Sequence, residues 1–171
     1  METNVLYFSD NFFSAGMTEI FNEQKEVIGK LDLKSAFSSK LDVLNESDEV
    51  IVRGAFRFFS SKWSITDKND EEIGLLRQRL SFFTKRYEYK AYDRGVYQIV
   101  SESLSKEYSV LDENDAVIAH FEKTSGFFES PSYKLRNDSS ILSNEELIAV
   151  VMGITMIMKQ NNSAATTGST T

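Results

Sequence analysis

A chain of 171 residues with ordinary apolar content is the size of one domain around one core. With no cysteine it has no disulfide, no thiolate metal site, no cysteine nucleophile and no palmitoylation site. A formal net charge of −7 makes nucleic acid and anionic membrane surfaces poor default partners, and the simplest role of that charge is solubility.

The first residues, Met1 to Phe8, hold neither a basic stretch nor an apolar run. No signal peptide is predicted there, and a cytoplasmic location is expected. The 13 Phe and 7 Tyr favour strands. Four segments, 20–29, 43–52, 65–74 and 110–119, align without gaps. Each runs apolar pair, Asn or Asp, polar turn, second strand. Asn22, Asn45, Asp67 and Asp112 open the turns, because Asn and Asp side chains bond nearby backbone and tolerate left-handed dihedrals. The turns lie 23, 22 and 45 residues apart, and Asp93-Arg94-Gly95 falls in the last gap as a fifth. The unit is a β-hairpin recurring about every 22 residues, the mark of an antiparallel barrel or sandwich rather than a propeller.

Further strands are predicted over 5–8, 40–44, 56–59, 86–91, 96–100 and 133–135, for about twelve in all. The Phe-Phe pairs at 12–13, 58–59, 82–83 and 127–128 read as core and strand-edge packing, with ligand stacking as the other use. Against the acidic whole, residues 77–94 hold Arg77, Arg79, Lys85, Arg86, Lys90 and Arg94 against Glu88 and Asp93. On a hairpin some of these share an outer face, which suits an anionic group. Pairing with the acidic surface is the plainer alternative.

His120 is the one histidine, so paired-histidine metal chemistry is excluded and a structural role in its strand is expected. No Gly-x-Ser-x-Gly and no phosphate-binding glycine loop occurs.

Ser143-Asn-Glu-Glu146 has the form of a capping box, with Leu142 and Leu147 at the staple positions. Residues 147–158 follow, apolar on every face except at Gly153 and Thr155. Such a helix must be enclosed on all sides. Twelve residues span about 18 Å, short of a bilayer core of about 30 Å, so the enclosure is protein. A twelve-stranded barrel is wide enough to hold it. Ala149 and Gly153, four apart, mark a face for close approach. Lys159 and Asn161 or Asn162 read as the helix end, and 161–171 as a disordered tail.

Antiparallel hairpins with Ile28-Gly29 and Ile73-Gly74 after the turns, ending in the apolar helix after Ser143, resemble the tubby-like superfamily. That group takes in tubby C-terminal domains, LURP-one-related proteins and phospholipid scramblases, and this chain looks most like its small bacterial members. The resemblance implies a mainly β fold: one domain over 1–160, a twelve-stranded antiparallel barrel around a central helix at 144–160. Tubby domains bind phosphoinositide headgroups through basic residues, and scramblases are linked to membranes, calcium and palmitoylation. This chain departs from the last two. It lacks cysteine, and Asp67-x-Asn69-x-Glu71 is followed by Glu72 where a calcium loop needs glycine.

The expected function is a non-enzymatic binding or interaction domain without cofactor or metal. Its partner is an unknown protein or an anionic ligand or lipid headgroup on the outer surface, with Arg77, Arg79, Lys85, Arg86, Lys90 and Arg94 as candidate contacts. The alternatives are a peripheral lipid-binding protein related to scramblases and a hydrolase with an unrecognised site, which would need a deep cleft around His120. A helix that fills the barrel would leave no large internal cavity.

Overall fold

The computed structural model describes residues 4–9, 16–34, 40–81, 84–102, 106–125 and 132–167. The aligned turns are one structure built four times. Asn22, Asn45, Asp67 and Asp112 each accept two backbone amides, two and four residues ahead, at 2.8–3.0 Å. The residue three positions on is left-handed in every case: Lys25, Asp48, Asp70 and Asp115 have φ of 60–64°. The strand ladder shifts register by one residue beside each turn. Those two amides, from Ala116 and Asn114, hold the Asp112 carboxyl below the usual carboxylate range. At 93–95 the predicted fifth turn forms, with Asp93 and Gly95 both at positive φ.

The strands are β1 (Val5–Ser9), β2 (Met17–Phe21), β3 (Val27–Asp32), β4 (Lys40–Leu44), β5 (Val50–Phe56), β6 (Trp63–Asp67), β7 (Glu72–Arg79), β8 (Thr84–Ala91), β9 (Gly95–Glu102), β10 (Glu107–Leu111), β11 (Val117–Thr124) and β12 (Ser132–Asn137). They pair antiparallel in sequence order, and β1 pairs β12 to close the barrel. One correction falls at 56–59. β5 stops at Phe56 and the chain turns, with Ser60 N–H donating to Arg57 O at 3.1 Å.

The helix α1 (Asn144–Thr167) runs up the inside, and every residue from Leu147 to Ile157 is buried. Ser143 caps it, its Oγ accepting the Glu146 amide at 3.1 Å. The wall comes closest at Trp63. The indole lies between Gly153 of the helix and Gly54 of β5, and a Cβ added at either would sit 2.5 Å from it. Trp63 Nε1 donates to Ala149 O at 3.2 Å, so the small-residue face is where wall and helix meet.

The helix does not end at Asn161 or Asn162. It continues to Thr167, leaving the barrel with residues 159–163 exposed. Asn costs a helix interior only a few tenths of a kcal/mol, and Ala164 and Ala165 favour it. Asn161 Nδ2 also donates to Gln78 Oε1 at 2.6 Å, tying the emerging helix to β7.

Candidate functional site

Alternation along the strands gives the barrel two unlike ends. The four Asn/Asp turns, the 92–94 turn and the start of α1 form one, here called the closed end. The connections after β1, β3, β5, β7, β9 and β11 form the other, the open end, where α1 emerges. The closed end is acidic. Turns 45–49, 67–71 and 112–116 carry nine carboxylates and one cation, Lys68.

A buried polar cluster fastens α1 at the closed end. Glu146 is 2% exposed, and Arg94 grips it with two bonds of 2.6 and 2.8 Å. Arg94 also donates to Ile73 O at 3.0 Å, and the Tyr89 hydroxyl donates to Glu146. Burial, reinforced by the carboxylate beside it, pushes the Tyr89 phenol far above its usual range. The hydrogen bonds that Arg94 donates to Glu146 likewise raise the arginine. Glu146 thus spends its carboxylate on Arg94 and Tyr89 rather than on the Ser143 amide. Only half of the predicted capping box forms.

The six candidate cations do not make one face. Arg94 is held by Glu146. Arg77 faces Glu88 across β7 and β8, its Nε donating at 2.8 Å, and Arg79 shares that carboxylate at 3.7 Å. Lys90 lies toward the closed end over the Tyr92 ring, 5.7 Å from its centroid. Arg86 points outward near the open end, where its Nε donates to Thr84 at 3.1 Å. Lys85, one residue earlier, points the other way and lines a cavity in the open mouth. Period-two alternation divides Lys85 from Arg86, and an ion partner 52 residues away takes Arg94.

That cavity corrects the expectation that the helix fills the barrel. α1 packs on β4, β5, β6, β7 and β12, off the axis, and aromatic side chains from β8, β10, β11 and β12 span the rest. About 200 Å³ stays open at the mouth.

The open end also exposes apolar side chains. Among the described residues the four most exposed large ones, Met17, Phe58, Phe59 and Leu80, all lie there. Phe58 and Phe59 are 88% and 95% exposed, their rings 4.1 Å apart. The packing role predicted for this pair therefore fails; the pairs at 12–13, 82–83 and 127–128 lie outside the described residues. Lys62, Lys85, Arg86 and Lys106 ring this end with no carboxylate in ion-pair reach among the described residues.

His120 sits on the outer sheet, beside Ser109 in register and 4.0 Å from Glu107. It makes no hydrogen bond to Ser109, so the three do not form a nucleophile relay. Among the described residues no group of three His, Asp or Glu is placed to hold a metal. Among the described residues no helix is long and apolar enough to cross a membrane.

A closed twelve-strand antiparallel barrel around a C-terminal helix defines the tubby-like class of folds. The sequence matches the LURP-one-related family over residues 5–159, and the chain belongs to that family. A protein of Arabidopsis thaliana known from its X-ray structure shares the fold, with a TM-score of 0.57 at 13% identity over 92% of this chain and 90% of that one. No curated protein sequence matches the chain.

Proposed function

We propose that this protein is a non-catalytic binding module whose open end docks on an anionic phospholipid surface. Phe59 carries the reading. It is nearly fully exposed, and its φ of 50° is left-handed. That conformation costs a residue with a Cβ about 1–2 kcal/mol. Asn or Gly would serve the turn better, so folding gains nothing from phenylalanine here. A surface that buries it does.

The surroundings suit a bilayer. Phe58, Leu80 and Met17 stand at the same end as Phe59, with Lys62 beside Leu80 and Lys85, Arg86 and Lys106 farther around the same rim. Aromatic rings enter the headgroup boundary while lysines meet its phosphates. The nine carboxylates of the closed-end turns then point away, so net charge opposes docking less than orientation favours it.

Flotation with phosphatidylcholine vesicles, with and without phosphatidylserine, tests this. The protein is expected to float with the anionic vesicles at low salt and to be released by salt. Phe58→Ser with Phe59→Asn is expected to abolish flotation in a folded protein. No flotation of the native chain, or unchanged flotation of the variant, sinks the reading.

A further inference from the structure

We infer that the open mouth holds a binding site of its own, for a small amphiphile with an anionic head and a single apolar tail. The site lies between α1 and the wall formed by β8, β10, β11 and β12. Around the barrel this is the side away from Phe58 and Phe59, which sit between β5 and β6. It stands whether or not the mouth meets a bilayer.

The cavity has an apolar throat and a cationic rim. Phe121 and Tyr108 stack at 4.7 Å between centroids, nearly parallel, and form one wall. Ile154 and Met158 of the helix form the other. Tyr133 and Thr155 close part of it, their hydroxyls bonded to each other at 2.7 Å, so neither is an orphan awaiting a polar ligand. The deep lining is therefore apolar or already paired, and a polar ligand would gain little there.

The entrance differs. Lys85, Lys106 and Lys123 stand around it. Lys85 and Lys106 have no acidic partner among the described residues, while Lys123 rests over the Tyr133 ring, 5.1 Å from its centroid. In a chain of net charge −7, Lys85 of β8 and Lys106 just before β10 converge on one apolar hole, a charge pattern that a carboxylate or phosphate would complete.

Size sets the tail. Apolar cavities of about 150 Å³ accept a benzene-sized guest. A volume near 200 Å³ accepts a ring or the end of an alkyl chain, with the head left at the rim. Met158 can give way to a longer tail, since a thioether on an unbranched side chain repacks easily.

Titration calorimetry of the full chain with monomeric hexanoate, octanoate and decanoate, without vesicles, decides the matter. One ligand per chain is expected, with affinity rising about fourfold per added methylene until the throat is full. Decanol is expected to bind about tenfold more weakly than decanoate, and Lys85→Gln with Lys106→Gln to remove that difference. Met158→Trp, filling the throat, is expected to abolish binding; if it does not fold, the lysine pair carries the test alone. Decanol binding as well as decanoate, no saturable binding, or decanoate preference surviving the lysine substitutions would each overturn the site. Because vesicles are absent, such a failure leaves the Phe58–Phe59 docking reading to its own test.

Discussion

At the closed end of the barrel a strand reverses on an Asn or Asp that binds two backbone amides. At the open end, between Arg57 and Lys62, it reverses on two phenylalanines that touch each other and face solvent. The left-handed positions make the contrast sharper. At the closed end they hold Lys25 and four aspartates, Asp48, Asp70, Asp93 and Asp115, which tolerate that backbone; on the open-end side they hold Lys34 and Phe59, the one bulky aromatic of the set among the described residues. Even the ionic groups divide this way. The closed end buries Glu146 against Arg94, while at the open end Lys85 and Lys106 stand beside a cavity with no carboxylate partner among the described residues. One end is arranged for stability, and the other carries features that cost stability without structural return.

Three substitutions break or sharpen that division. The largest effect is expected from Arg94→Ala, which strands the Glu146 carboxylate at 2% exposure. Removing one partner of a buried pair costs about 3–5 kcal/mol, to be read from urea unfolding. Adding Glu146→Gln to that variant should recover part of the loss. If Arg94→Ala alone costs no more than a surface substitution, the cluster does not fasten the helix. Next is Gly153→Leu, whose Cβ meets Trp63 at 2.5 Å and Leu76 at 2.8 Å. Neither neighbour is free to move inside the barrel, so overpacking is expected near the top of its usual range, about 3 kcal/mol. A stable variant with native Trp63 fluorescence would contradict the enclosed-helix packing. The smallest effect has the opposite sign. Phe59→Asn should stabilise the protein by about 1 kcal/mol by relieving the left-handed strain, seen as a Tm rise of a few degrees. A loss of stability instead would mean that Phe59 is a packing residue after all.

The fold was legible because its signals are local and repeated. An Asn or Asp at the same place in four segments is a turn chemistry readable from ten residues. An all-round apolar helix too short for a bilayer leaves little choice of enclosure. Strand lengths and the helix end were read less well. Phe56 to Phe59 has the composition of a strand, but Arg57 closes a turn there. The helix outlasts Asn161 because a bond to Gln78, far back in the sequence, holds it.

The site was legible only as composition. Six cations in 77–94 are visible in one dimension, yet Arg94 answers to Glu146, Arg77 to Glu88, and Lys85 turns inward. The cavity-lining Lys106 and Lys123 come from distant segments, just before β10 and in β11, and the helix's offset from the barrel axis has no signature in residue order. Alternation could have separated Lys85 from Arg86 in advance. Nothing local could have joined Lys85 to Lys123.

The closing strand pair has a consequence for how the molecule comes into being. β1 pairs β12, Val5 opposite Arg136, and α1 follows β12 in the chain. On the ribosome, the early hairpins must wait with their inward apolar faces uncovered until β12 and α1 are released. Contacts between strands as distant as Val5 and Arg136 make folding slow, on the order of milliseconds to seconds. A nascent or truncated chain stopped before residue 144 would hold an unlined, sticky trough, the form in which chaperones are expected to find it.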